Sequence, residues 1–195
     1  MKIALFGGTF DPVHLGHIAM AHKVRTLVDK VIILPCAISP HKLIEHGTTP
    51  PAPAPHRLDM LHLAFNEVPD IEISDFELET EEPSFTYLTI AHFRKLHPLA
   101  SLHLVIGQDQ FQVLPTWAHF NDWRTQVAFI VFDRKRTQPI SGHTPLGLNV
   151  QRIENFDFPQ SSSAIRKALA CGQPVEDRLS PSVLQYIIKH KIYRN

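Results

Sequence analysis

Cysteine is nearly absent: Cys36 and Cys171 are the only two in 195 residues, and no CxxC pair occurs. That excludes a disulfide framework and a cysteine-built zinc ribbon, and makes reduced thiols the default. Net charge is also lacking, since 19 Lys+Arg balance 19 Asp+Glu. A protein living mainly on nucleic-acid phosphates or anionic lipid carries a basic excess, so nucleic acid and membrane are set aside as partners. A local basic site for a small phosphorylated ligand is not excluded. Hydrophobic runs are short. The longest, Val127 to Phe132, falls far below the ~20 residues of a membrane span, and the apolar start up to Phe6 is too short for a signal-peptide core. The expectation is a soluble cytoplasmic protein. Glycine numbers only eight, with no GxGxxG and no Gly-Lys pair, which removes the dinucleotide fingerprint and the Walker loop.

What is present is a foldable chain, 44% apolar and 19% charged. Its length suits a single domain, 1–195, able to bury roughly 70% of its unfolded surface. Pro and His are in excess, at 16 and 13. Four continuous apolar runs read as strands buried on both faces: 3–6, 31–34, 102–106 and 127–132, with weaker strands at 71–73 and 150–153. Helical patterns lie between them. One runs from His14 to Val28, one carries the stripe Leu58, Leu61, Phe65 and Val68, one spans Ser84 to Leu96, and one spans Ser161 to Ala170. A last helix starts at Ser180-Pro181, with the N-cap and first-turn proline pattern, and runs to about Lys189. The alternation predicts an α/β domain with a mostly parallel sheet, helices on both faces, and ligands at the carboxyl ends of strands where the winding reverses. Leu43 to His56, with four prolines, reads as an extended loop that cannot be helix or central strand.

Chemistry gathers at predicted element ends. The first strand runs into Gly7-Gly8-Thr9-Phe10, where backbone amides can approach a phosphate beside the positive end of the next helix. His14 and His17, three apart in a helix, share a face, and Gly16 between them leaves room for a ligand. They read either as paired donors to an anion or as helix-start histidines without a ligand. Zinc is a further alternative, but HExxH is missing and no third ligand is marked. Ser161, Ser162 and Ser163 open a helix with Arg166 one turn on, which suits phosphate oxygens or simple capping. Gly107 and Asp109 follow a strand, where a carboxylate can accept ribose hydroxyls or cap the next helix. Trp117 is a core aromatic or an exposed π face. Lys42 is a loop cation or a phosphate partner.

The run GGTFDPVHLGH, residues 7–17, resembles the signature of the HxGH nucleotidylyltransferase superfamily, and bacterial nicotinate mononucleotide adenylyltransferases in particular. Four further segments resemble that family in order: Pro40-His41-Lys42 after Ser39, Pro83-Ser84-Phe85-Thr86, Gly107-Gln108-Asp109 with Leu114-Pro115-Thr116-Trp117, and Ser161-Ser162-Ser163-Ala164-Ile165-Arg166. Departures are Ser39 for Pro, Phe85 for Tyr, Gln160 for Ile and Ser163 for Thr. The resemblance spans nearly the whole chain. It implies a Rossmann-like fold and AMP transfer from ATP to nicotinate mononucleotide, giving deamido-NAD and pyrophosphate in NAD biosynthesis. It further implies His14, His17 and Arg166 as catalytic groups, with Gly7, Gly8, Thr9, Phe10, Gly107, Asp109, Ser161, Ser162 and Ser163 on ATP. Lys42, Phe85, Thr86, Trp117 and Ala118 would hold nicotinate mononucleotide, Trp117 by stacking on the pyridinium. No protein-held metal is implied; Mg²⁺ travels with the ATP phosphates. Nicotinamide mononucleotide or a phosphopantetheine-type acceptor remains the runner-up, and a non-catalytic nucleotide-binding module a distant third. Oligomeric state stays open, a homo-oligomer included.

Overall fold

The structure is a computed structural model that describes residues 1–38, 50–79, 83–133, 147–156 and 158–193. Six strands form one sheet in the order β3-β2-β1-β4-β5-β6. They are β1 (Lys2–Gly8), β2 (Lys30–Pro35), β3 (Ile71–Ile73), β4 (Ser101–Gly107), β5 (Ala128–Phe132) and β6 (Val150–Ile153). Every pairing among the described residues is parallel, as the strand–helix alternation predicted. β1 pairs Gly8 with Pro35 of β2 on one side and Leu5 with Leu104 of β4 on the other. The winding therefore reverses between β1 and β4, where a crevice opens at the strands' carboxyl ends.

Alternate residues of each strand feed two cores, which explains the continuous hydrophobic runs. Ala4, Phe6, Val31, Ile33, Val105, Ile130 and Phe132 face one cluster. It is covered by α1 (Leu15–Arg25), α2 (Ala54–Phe65), α6 (Ser162–Ala170) and α7 (Pro181–Lys189). Ile3, Leu5, Ile32, Leu34, Leu104, Ile106, Phe129 and Val131 face the other, covered by α3 (Thr86–Leu96), α4 (Gln108–Val113) and α5 (Phe120–Trp123). None of the helices among the described residues is long and apolar enough to cross a membrane.

Three expectations need correction. Leu43 to His56 is not loop throughout: α2 begins at Ala54, with Pro55 in the first turn, where its missing N–H costs nothing. The rest of that segment up to residue 49 lies outside the described residues, as do Pro40, His41 and Lys42. The buried stripe of α2 is Arg57, Met60, Leu61 and Phe65; Val68 falls beyond the helix end. His14 is not helical. It is the N-cap of α1 with extended backbone.

Candidate active site

The loop from β1 to α1 is the centre of the site, and its histidines are held by each other. The His17 backbone N–H donates to His14 Nδ1, and the His14 backbone N–H donates to His17 Nδ1, both at 3.3 Å. This reciprocal capping box satisfies orphan amides of the helix start. It also decides a tautomer. With both Nδ1 atoms accepting, each neutral ring carries its proton on Nε2, as a donor. The rings stack with centroids 3.7 Å apart, and Phe10 meets His17 edge-on at 5.0 Å. Gly16 leaves room for this stack: a Cβ there would lie 3.0 Å from two atoms of the His14 ring. Gly8 likewise clears the Phe10 ring, which a Cβ would approach to 3.0 Å.

Two residues that sequence reasoning missed clamp the same loop. Asp11, 2% exposed, accepts through Oδ1 from the Ala52 N–H at 3.0 Å and from the Tyr193 hydroxyl at 2.6 Å. Arg166 Nη1 reaches its Oδ2 at 3.3 Å and donates to its backbone carbonyl at 2.7 Å. Arg57, also 2% exposed, donates to the carbonyls of Thr9, Cys36 and Ala52. An Arg in phase with the apolar stripe of α2 was the available signal for it. Asp11 was visible only as the one acid in a neutral glycine loop, and Tyr193 had no local signal.

The N-terminus of α6 meets the loop from the other side. Ser161 caps the helix by accepting from the Ala164 N–H at 3.2 Å. Ser162 donates to the Pro12 carbonyl at 3.0 Å, and Arg166 Nη2 lies 3.5 Å from Ser163 Oγ. Asp109 is exposed in the first turn of α4, just past Gly107.

A cavity of about 740 Å³ occupies the crevice between β1 and β4. Gly7, Gly8, Thr9, Gly107, Phe85, Thr86, Trp117 and Ala118 all line it. Trp117 is half-buried against Trp123, centroids 6.3 Å apart, so it is a cavity wall rather than a core aromatic. The Trp123 indole N–H donates to the Ala118 carbonyl at 3.0 Å, fixing the Ala118–His119 peptide beside the cavity. Thr86 and Tyr87 begin α3, where helix geometry leaves amides without an intrahelical acceptor. Glu77 also faces the cavity and accepts from the Thr89 hydroxyl at 2.6 Å. Burial raises its pKa above the ordinary 4.5, against the opposing pull of that hydrogen bond. His14, His17, Asp109, Arg166 and the three serines do not line this cavity. His14 and His17, with Arg166 and Ser162 bonded to the same loop, lie beside it, His14 buried and His17 half-buried, and Asp109 lies two residues past Gly107 of the cavity wall. Of the described site residues, Gly7, Gly8, Thr9, Gly107, Phe85, Thr86, Trp117 and Ala118 thus line the cavity, while His14, His17, Arg166 and Ser162 meet at the His17 end of the same loop. Among the described residues, no three His, Cys, Asp or Glu side chains gather to hold a metal.

A glycine loop, paired imidazoles and a helix N-terminus at the switch point of a parallel sheet define a nucleotide-handling α/β protein. The chain belongs to the cytidylyltransferase-like family, whose model matches residues 5–168. It is 38% identical over 199 residues to a probable nicotinate-nucleotide adenylyltransferase of Solibacter usitatus, covering 99% of this chain and all of that one. A second so named, from Methylacidiphilum infernorum, is 35% identical over 98% of this chain and 92% of its own. The fold resembles a Plasmodium falciparum nicotinic acid mononucleotide adenylyltransferase complexed with NaAD, with TM-score 0.81, 21% identity, and coverage of 98% and 97%.

Proposed function

We propose that this protein is a nicotinate-nucleotide adenylyltransferase, acting on ATP and nicotinate mononucleotide in the cytoplasm. The observation that supports it best is the junction of an aromatic-walled cavity with the histidine-capped loop. That gives one compartment for a flat pyridine nucleotide and one anion-binding edge for a triphosphate.

The phosphate of nicotinate mononucleotide attacks the α-phosphorus of ATP in line. The new P–O bond forms as the bond to the β-phosphate oxygen breaks, and pyrophosphate leaves. No protein nucleophile is needed; the protein aligns two anions and offsets charge as it spreads. His17 Nε2–H donates to the α-phosphate, His14 to the neighbouring phosphate, and the Gly7-Gly8-Thr9-Phe10 backbone borders the nucleotide. Arg166 and Ser161, Ser162 and Ser163 take the β- and γ-phosphates, while Gly107 and Asp109 meet the adenosine ribose. Trp117 and Phe85 enclose the pyridine ring, and amides at Thr86 and Ala118 receive its carboxylate, as helix-start donors favour an anion. Lys42 completes the acceptor end in this reading. Mg²⁺ enters with the triphosphate as part of the substrate, since Asp11 is already committed to three donors.

Pyrophosphate release with MgATP tests the reading. Nicotinate mononucleotide is expected to turn over well ahead of nicotinamide mononucleotide; an acid-to-amide ratio of one or below rejects the acceptor assignment. His17→Ala is expected to lose about 10²–10³ in rate, as removal of a transition-state donor does elsewhere, with its circular dichroism unchanged. Near-normal turnover of that folded variant removes His17 from the mechanism.

A further inference from the structure

The side chain of Asp11 in the β1–α1 loop reaches three segments remote in sequence: Ala52, Arg166 and Tyr193. Its carboxylate is almost fully enclosed, with side-chain exposure of 3%, whereas Arg166 retains 27%. A buried carboxylate that accepts from two donors on one oxygen cannot rotate, so its second oxygen has a fixed direction. Arg166 is gripped there, by Nη1 alone, on Asp11 Oδ2 and the Asp11 carbonyl. The other guanidinium nitrogen turns toward Ser163 at the start of α6. The Arg166 fork is thereby split, one arm on the loop and one toward the helix N-terminus.

The stronger of the two Oδ1 donors, by distance, is the Tyr193 hydroxyl, 182 positions away at the end of the described chain. Tyr193 is carried there by Ile192, which is 8% exposed within the core, and by the Ile192 N–H donating to Ile187 at the end of α7. The tail is therefore docked by packing, and the hydroxyl is a separate contact. Burial, and then the hydrogen bond to Asp11, raise the Tyr193 pKa well above its usual 10, so it stays a donor across the working pH range.

We propose that Tyr193 is a positioning residue: its hydroxyl holds the Asp11 carboxylate so that Arg166 presents its free edge to the triphosphate. The C-terminal tail then completes the nucleotide end of the site, by a contact that touches no substrate. This rests on the reading of Arg166 as a phosphate ligand given above. Without the hydroxyl, Oδ1 keeps only the Ala52 amide, and the carboxylate is free to swing both oxygens onto the guanidinium and withdraw it from phosphate.

The test is a cycle of Tyr193→Phe, Arg166→Ala and the double variant. MgATP affinity and nicotinate mononucleotide affinity are each read by calorimetry, and turnover by pyrophosphate release. Tyr193→Phe keeps the docked ring and is expected to fold, as melting curves would check. MgATP binding should weaken roughly tenfold, the scale of a hydrogen bond to a charged group, with nicotinate mononucleotide affinity unchanged. In the Arg166→Ala background the same change should cost nothing further. Wild-type MgATP affinity in Tyr193→Phe overturns the inference, and so does a loss that adds in full to that of Arg166→Ala, or one shared equally by both substrates. If Tyr193→Phe fails to fold, Tyr193→Met, which likewise lacks the hydroxyl and keeps a buried apolar side chain, replaces it in the same cycle, with the same expected and overturning results. A wild-type protein that binds MgATP yet releases no pyrophosphate with nicotinate mononucleotide sinks the proposed function and leaves this inference standing.

Discussion

Gly16 illustrates how a residue's purpose changes once its neighbours are known. Between two histidines, a missing side chain reads as an opening for a ligand. In the fold it is the space occupied by the His14 ring, whose Cε1 and Nδ1 would lie 3.0 Å from an added Cβ, with Phe158 Cβ at 3.3 Å behind. The ring cannot yield cheaply, because it is buried and its Nδ1 holds the His17 amide. Gly16→Ala is therefore expected to destabilise the protein by about 1–3 kcal/mol, the usual cost of overpacking, and to lower activity by shifting His14. A urea denaturation midpoint and turnover equal to wild type would show that the stack tolerates the methyl. Arg57 and Asp11 teach the same lesson for buried charge. Each is enclosed with partners at hand, Asp11 on both carboxylate oxygens and Arg57 through Nε and Nη1, and neither set of partners is adjacent in sequence. Gln160, the departure from the family's isoleucine, is half-buried, and its Oε1 has no hydrogen-bond partner among the described residues.

At the scale of elements, caps and strands were the legible parts. β1, β2, β4 and β5 fall where continuous apolar runs predicted them, because a strand covered on both faces has no polar alternation to blur it, and the edge strands β3 and β6, which alternate with exposed polar residues, fall at the two weaker signals. Ser161 and Ser180 cap α6 and α7 as their hydroxyls predicted, each accepting from the amide three residues on. The start of α2 was hidden, since prolines that forbid a helix interior are welcome in its first turn. The short turn Phe76–Leu78 and α3 are tied by the Thr89 hydroxyl on Glu77, and this junction makes stability depend on pH. Glu77's folded pKa lies above its unfolded value, so the folded state holds the proton more tightly. Its contribution is complete below the ordinary 4.5 and is lost as pH rises through the raised folded value. Glu77→Gln should remove that decline, so that its melting temperature, compared with wild type, gains as pH rises from about 4.5 toward neutrality. Parallel pH profiles for the two proteins would show that Glu77 does not titrate differently on folding.

Across the whole molecule, the sheet brings remote segments to one edge. 

Residues 9–100 lie between the end of β1 at Gly8 and the start of β4 at Ser101, 92 in all, yet the two strands end side by side. That adjacency puts Gly7, Gly8 and Gly107 in one cavity wall. The same closure carries Tyr193 back to Asp11 and Arg166 onto the loop that opens the chain.

Local order was thus determined by the sequence alone: which runs become strands, which hydroxyls cap helices, and which short motifs stand at element ends. Those features depend on neighbours within a few positions, where periodicity and side-chain type suffice. Only the tertiary structure decided the strand order, the split of the candidate site into a cavity and a flanking histidine-capped loop, the mutual capping of His14 and His17, and the joining of Asp11, Arg57 and Tyr193 to one loop. Those depend on groups tens to hundreds of residues apart. Their pairing is set by the burial of two sheet faces, and no local pattern records it.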